Sequence, residues 1–301
     1  MKNKDIYYWT CDKSESSGEG KLSLFYLETL KKRFNIHEIK KPNIKNKIIR
    51  KIIYYKYIIP FIGIIFCWIY YINKKRICYV NYLPFWNFVI FLLLPPNSNI
   101  GPITGGANFR ENSNLIRKII FPIFYKISEI IVNLRKFDLI FSTDLLKNFL
   151  SKDTIRNSSF NFIVKNFKYK KKKLSKSLDF LIYFRKHKNK INFFPVNFIQ
   201  NLVEAGFKVN VIGDKLNISK VKNYGFVNNK KSIKLQQKSK YTIFSEENLY
   251  SLFTLECISN NVIVLINKSY NHKIIFFKNR FIKVDFDNPK ELHKLKKIYK
   301  S

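Results

Sequence analysis

Four short segments carry residue types suited to an anionic, hydroxyl-rich ligand. The first is Arg185-Lys186-His187-Lys188-Asn189-Lys190, directly after the apolar run Leu178 to Phe184. Cations at the carboxyl end of a strand form the kind of site a diphosphate occupies, because charge-assisted hydrogen bonds to phosphate oxygens are strong. The second is Ser245-Glu246-Glu247-Asn248, followed by Glu256 among Leu252, Phe253, Leu255 and Ile258. With only 20 acidic residues in the chain, three so close together stand out. Ionised carboxylates are strong acceptors for sugar hydroxyls. The third is Gly101-Pro102-Ile103-Thr104-Gly105-Gly106, holding three of the nine glycines, as close backbone approach to a ligand requires. The fourth is SESSGEG, Ser14 to Gly20, where Gly18 and Gly20 precede the helical stretch Leu22 to Leu30 and offer a phosphate cradle. Each also has a plain reading: a solvated basic loop, an exposed helical glutamate and two ordinary turns.

The elements that must position these segments alternate in type. In the C-terminal half, apolar runs predict strands at Leu178–Phe184, Val209–Ile212, within Val221–Val227, Tyr241–Phe244 and Val262–Ile266. Helical spacing falls at Phe194–Ala205, stopped by Gly206, and again at Lys231–Gln237 and Leu252–Ser259. The N-terminal half offers strands at Tyr7–Thr10, Ile77–Asn81, Asn99–Ile103 and Leu139–Ser142. Strands alternating with helices predict an α/β fold of parallel sheets. Ligands of such sheets bind beyond the carboxyl ends of the strands, where the candidate segments fall. The basic stretch NFKYKKKKLSK has no apolar period and reads as a linker over 167–176. It separates an N-terminal Rossmann-like domain, 1–166, from a C-terminal one, 177–301, with a cleft expected between them.

Composition narrows the class. Hydrophobic residues are 46% and charged residues 25% of the 301, a balance that predicts a folded chain. Lys plus Arg is 56 against 20 Asp plus Glu, a net charge of +36. Abundant Lys, Asn, Ile, Phe and Tyr together point to an A+T-rich genome, which inflates lysine without selection for function. No nucleic-acid signature accompanies the charge, so no nucleic-acid partner is expected. The four cysteines form no CxxC pair, which excludes a zinc ribbon and argues against a disulfide scaffold. The N-terminus turns polar too early for a secretory leader, and a cytoplasmic setting fits best. The longest apolar run, Tyr57 to Ile72, contains Pro60 and Gly63 and falls short of the roughly 18 to 20 residues of a spanning helix. A second run, Leu83 to Pro96, is shorter still. Beside the basic segments Lys40–Lys41, Lys45–Lys51 and Lys74–Arg76, these runs predict peripheral association with an anionic membrane at its inner face.

Taken together, the four segments resemble the retaining nucleotide-sugar glycosyltransferases of the GT-B fold, in particular the family 4 group of bacterial O-antigen, capsule and lipopolysaccharide clusters. The resemblance covers nearly the whole chain and is strongest from Asp179 to Ile266. DFLIYFRKHKNK is similar to the family's strand and Arg…Lys segment that holds the donor diphosphate, which implies that role for Arg185 and Lys190. VNVIGD followed by NYGFV resembles the next strands, with Gly225 at the turn. SEENLYSLFTLECISNN is similar to the paired-glutamate segment, and Glu256 matches the second, ribose-binding glutamate. The family spacing puts the first acid at Asn248, one position after Glu247, so both are candidates for contacting the sugar. Leu249 and Ser251 stand where the family has glycines. GPITGG resembles a GP-x-GG segment, which brings in Gly105, and SSGEG resembles the loop that meets the donor phosphates through Gly18 and Gly20. The family's N-terminal histidine has no counterpart, His37 falling on a helix-like segment. The resemblance implies a metal-independent, cofactor-free, retaining transfer of a sugar from a nucleoside diphosphate sugar to a hydroxyl. Its acceptor would be a glycan on a polyprenyl diphosphate. A non-catalytic, membrane-associated adaptor of the same fold is the competing reading, and a nucleic-acid-binding protein ranks behind it.

Overall fold

The computed structural model describes residues 4–41, 58–104, 116–167, 176–186, 194–244, 248–270, 273–292 and 295. The chain divides into two compact units, Met1–Asn166 and Phe167–Ser301. Most of the expected linker, 168–175, lies outside the described residues.

The first unit is built on β1 (Lys4–Thr10), β2 (Phe34–Glu38), β3 (Ile77–Pro84), β4 (Asn99–Thr104), β5 (Asp138–Phe141) and β6 (Ser158–Ser159). They form one sheet in the order β2-β1-β3-β4-β5-β6, and every pairing is parallel. Parallel neighbours are joined by crossovers that cover the sheet's faces. β3 shows the consequence, because successive side chains point to opposite faces. Tyr79 turns one way, its hydroxyl donating to the Pro60 carbonyl at 3.0 Å. Cys78 turns the other way, its thiol 3.7 Å from the Tyr26 hydroxyl. Helices Ile59–Ile72, Phe88–Leu93 and Phe121–Leu134 therefore share the Tyr79 face, and helix Gly18–Lys31 covers the other.

Helix Ile59–Ile72 shows why the longest apolar run folds as it does. Pro60 sits in its first turn, where a missing N–H costs nothing. Gly63 faces the sheet, and a Cβ there would overlap the Trp9 indole. The glycine lets helix and β1 approach closely enough for Trp9 to stack on Phe66, with ring centroids 5.5 Å apart. Among the described residues no helix is long and apolar enough to cross a membrane.

The second unit carries β7 (Leu178–Phe184), β8 (Val209–Gly213), β9 (Lys222–Asn223), β10 (Ser239–Ile243), β11 (Ile263–Asn267) and β12 (Phe281–Val284). Their order is β12-β11-β10-β7-β8-β9, again all parallel. That is the Rossmann order, with the first strand central and the fourth on its far side. Phe180, Ile182 and Phe184 pack with helix Val196–Glu204. Leu181 and Tyr183 face Leu235 and Phe253 of helices Asn229–Lys238 and Leu252–Ser259. Both units are thus doubly wound, Rossmann-like α/β domains.

One sequence expectation needs correction. His37 is on the edge strand β2, not a helix; it stacks on Tyr7 at 5.0 Å and its Nε2 lies 3.0 Å from an Asp5 carboxylate oxygen. The short strand expected within Val221–Val227 is Lys222–Asn223, and Gly225, at φ +68°, turns the chain after it. β12 was not expected at all, being four residues inside a polar, aromatic tail.

Gly63→Ala should lower stability by about 1–3 kcal/mol, the usual cost of forcing a methyl into a packed contact. The midpoint of denaturant unfolding measures it. An unchanged midpoint would show that the helix can lift off Trp9 at no cost.

Candidate functional site

In an open parallel sheet the ligand crevice lies beyond the carboxyl ends, where the strand order reverses. In the second unit the chain runs outward from β7 to β8 and β9, then crosses back to β10 on the other side of β7. The switch point is therefore between β7 and β10, which pair through Tyr241 and Phe180. Arg185 is the first residue past β7, and Phe244 the first past β10. The basic and acidic segments thus leave from neighbouring strand ends, strands in a sheet being about 5 Å apart.

Arg185 is exposed and held on its own side of the sheet. Its Nη1 donates to the Tyr183 hydroxyl at 2.9 Å, two residues back and so on the same face. The guanidinium lies 5.8 Å from the centre of the Phe226 ring, and Tyr183 packs in turn on Phe253 at 5.4 Å. A guanidinium stays charged at every accessible pH and can grip phosphate oxygens in pairs.

The backbone around Arg185 is clamped by the end of β8. Asp214 N–H donates to the Phe184 carbonyl at 2.9 Å, and Lys186 N–H donates to the Asp214 carboxylate at 2.7 Å. Gly213 makes this possible. It sits at φ +99°, and a Cβ there would overlap the Phe184 carbonyl oxygen. Gly225 completes the support, its carbonyl accepting from Gly213 N–H at 2.9 Å.

Asn248 shapes the turn into helix Leu252–Ser259. Its side-chain oxygen accepts from Tyr250 N–H at 3.0 Å and its backbone carbonyl from Ser251 N–H at 3.2 Å. Ser251 then caps the helix by accepting from Thr254 N–H. Glu256 lies one turn inside, about 6 Å along the axis from Leu252. Its Oε2 accepts from Gln236 at 3.2 Å. Gln236 is fully buried, and its own oxygen accepts from Asn260 at 2.9 Å. Lys176, which donates to the Asn260 carbonyl at 2.8 Å, ends this chain, and burial pulls its ammonium down to about 8.

The glycine segments of the first unit read differently once folded. Its own switch point lies between β1 and β3, tied by Cys11 N–H donating to Asn81 at 2.6 Å. The loop beyond closes on itself. The Asp12 carboxylate accepts from Ser14 N–H at 2.7 Å and from the Ser17 hydroxyl, and Ser17 Oγ accepts from Gly20 N–H at 2.8 Å. A Cβ at Gly20 would overlap the Ser14 backbone. Gly20 thus answers to its own loop, and its amide is taken by Ser17. Gly18 opens the helix. Gly101 is likewise a packing glycine, its missing Cβ falling 2.9 Å from the Ile140 carbonyl. Cys11 offers no nucleophile near pH 7, because burial pushes its thiol up to about 11. Among the described residues no group of three His, Cys, Asp or Glu side chains is placed to hold a metal ion.

Of the residues singled out in the sequence, Arg185 and Gly225 both adjoin the Gly213–Asp214 end of β8, and Asn248 builds the turn into helix Leu252–Ser259. Glu256 stands one turn behind it, and Gly18 and Gly20 belong to the first unit. Lys190, Glu247 and Gly105 lie outside the described residues. The sequence reading missed Tyr183, Gly213, Asp214 and Phe226. A tyrosine two residues before the arginine, and a Gly-Asp pair ending the next strand, were the available signals.

Two measurements follow from this geometry. Gly213→Ala should cost about 1–3 kcal/mol and expose the 185–190 segment to proteolysis; resistance equal to the parent's would remove the clamp. Lys176 gives a pH effect of definite sign. Its folded pKa is depressed from 10.5 to about 8, so the unfolded chain holds the extra proton between these values. Its contribution to stability is complete above about 10.5 and lost as pH falls through about 8. Denaturation midpoints of parent and Lys176→Met should therefore differ by a pH-dependent amount across that window. A constant difference would contradict the burial.

No family model matches the chain, and no curated protein does. Among solved structures, the chain is similar along its full length to 89% of a protein assigned as a UDP-N-acetylglucosamine 2-epimerase from Listeria monocytogenes, at 11% identity and a TM-score of 0.47. It is also similar over 99% of its length to 90% of the calicheamicin glycosyltransferase CalG4, at 11% identity and a TM-score of 0.41. Over 98% of its length it is similar to 99% of the E. coli heptosyltransferase WaaC with ADP, at 9% identity and a TM-score of 0.36.

Proposed function

We propose that this chain is a GT-B glycosyltransferase that moves a sugar from a nucleoside diphosphate sugar to an acceptor hydroxyl. The observation that carries the reading is the switch point of the second sheet. Its strand order sets Arg185, first past β7, and Phe244, first past β10, at adjacent strand ends, and in sequence the acidic segment follows Phe244.

In this reading the bond between the anomeric carbon and the diphosphate oxygen breaks, and the acceptor oxygen bonds to that carbon as its hydroxyl proton passes to an oxygen of the departing diphosphate. The diphosphate leaves with the electron pair. Arg185, oriented by Tyr183 and Phe226, and Lys190 stabilise that growing charge, where preorganised cations contribute most. Glu247 or Asn248 contacts the sugar, Asn248 through the turn it builds. Glu256 accepts ribose hydroxyls, with Gln236 fixing its carboxylate. Gly225 supports the end of β8 through its carbonyl, which accepts from Gly213 N–H. Transfer is metal-independent and retaining, after the family 4 pattern. The acceptor is a glycan on a polyprenyl diphosphate, met at the inner face of the membrane during surface-polysaccharide synthesis.

A non-catalytic protein of the same fold is the second reading. The turn-bound Asn248 oxygen and the Gly20 amide taken by Ser17 favour it, since both are expected donor contacts occupied by the chain itself.

Thermal unfolding with UDP, GDP, ADP and CMP tests the proposal. A nucleotide at 100 times its Kd adds about 2.7 kcal/mol, and Arg185→Ala should abolish the shift. The same substitution should lower transfer by roughly 10²-fold or more once the donor is known. Stabilisation without any transfer or donor hydrolysis would favour the second reading. No stabilisation by any of the four would sink the donor site.

A further inference from the structure

The helical layer on the Tyr79 face of the first unit carries an apolar surface its fold does not use. On helix Ile59–Ile72 the exposed residues are Phe61, Ile65, Ile69 and Ile72, at 44, 58, 46 and 73% exposure. Their spacing of four, four and three is one stripe along a helix, opposite the buried Gly63, Ile64 and Cys67. The next helix adds Val89 and Leu92, and the one after it Ile123, Ile130 and Leu134, all exposed. The three helices are neighbours: Trp68 Nε1 donates to the Leu93 carbonyl at 2.7 Å, and Phe88 meets Phe124 edge-on at 5.1 Å. These residues therefore line one continuous layer, larger than scattered surface apolar residues explain.

The layer ends in positive charge. Ile72, Lys74, Lys75, Arg76 and Lys136 line one depression of about 720 Å³ at the C-terminal ends of the first and third helices, where Asp138 is the acid present. An apolar stripe beside clustered cations matches a lipid monolayer with anionic headgroups, acyl chains meeting the isoleucines and phosphates the lysines. Helix Ile59–Ile72 spans about 21 Å, against roughly 30 Å of hydrocarbon, so it lies on the bilayer and does not cross it. Trp68 and Tyr71, packed edge-on at 5.6 Å, supply the amphipathic rings that favour headgroup depth.

We infer that this three-helix layer is the surface by which the protein docks on an anionic bilayer, with the Lys74–Lys75–Lys136 depression receiving a lipid phosphate. The inference deepens the membrane part of the proposed function but does not rest on the donor site. A second copy of the chain is the rival occupant. The basic depression disfavours it, because two-fold pairing would bring like charges towards one another.

Cosedimentation of the full chain with vesicles is the test, using phosphatidylcholine alone and with 30% phosphatidylglycerol. Binding is expected to the anionic vesicles and to be far weaker to the neutral ones. Ile65→Glu with Ile69→Glu should reduce it at least tenfold. Lys74→Gln with Lys75→Gln should reduce it roughly 30-fold on anionic vesicles, about fivefold per lysine. Lys230→Gln with Lys231→Gln, on the second unit, removes the same charge and should retain most of the binding. Circular dichroism and light scattering on each variant check fold and mass. Equal losses from both lysine pairs, or undiminished binding by the isoleucine variant, overturns the inference. A parent dimer converted to monomer by the isoleucine substitutions overturns it in favour of the second copy. Nucleotide stabilisation separates the two readings: its absence with vesicle binding intact removes the donor site only, and the reverse removes the membrane face only.

Discussion

A parallel strand can be reached from its neighbour only by a connection that passes over the sheet, and this chain pays that topological cost in both units. Because crossovers lie on both faces, the central strands have no solvent side, and β8 is buried along all of Val209–Gly213. The winding must also reverse once, and at the reversal two adjacent strand ends send their loops apart. In the second unit this opens the carboxyl edge between Arg185 and Phe244. The closeness of neighbouring strands then dictates backbone chemistry: Gly213 is glycine because the Phe184 carbonyl occupies the place of a side chain. Asp214 can fasten the start of the basic segment only because that glycine lets the two backbones approach.

The same constraint made much of the second unit legible in its sequence. Buried strands read as short apolar runs, so Leu178–Phe184 and Val209–Ile212 stood out, and helical spacing marked Leu252–Ser259. Edge elements were less legible. β2 buries none of its residues fully, β12 is four residues long with Lys283 breaking its apolar run, and β9 is too short for any period. The site was legible at Arg185, a charged break after an apolar run, and at Gly225. Its supports were not, because Tyr183 and Asp214 act across strands, and sequence distance hides which strands are neighbours. The glycine segments are ambiguous for a physical reason: a missing Cβ serves close approach of the chain to itself as readily as to a ligand, as Gly20 and Gly101 show.

The two faces of the first sheet answer different demands. Helix Gly18–Lys31 presents charged residues outward, such as Lys31 paired with Glu28. The opposite layer puts isoleucines outward and stacks its aromatics inward, with Phe85 near Phe91, Tyr125 and Phe141. Packing accounts for the inner residues alone. Length, about 21 Å for the 14 residues of helix Ile59–Ile72, is what separates this run from one that crosses a bilayer.

The sheet margins carry one further consequence. β6 and β9 have two residues each, and β2 alternates half-buried and exposed residues behind Asp5, His37 and Glu38. A foreign strand needs a run of unpaired amides and carbonyls to add itself to a sheet, and margins this short or this charged give it almost no ladder to climb. Three of the four margins are thereby guarded against fibril-like, edge-to-edge growth, and the fourth, β12, is four residues long with the charged Lys283 exposed on it.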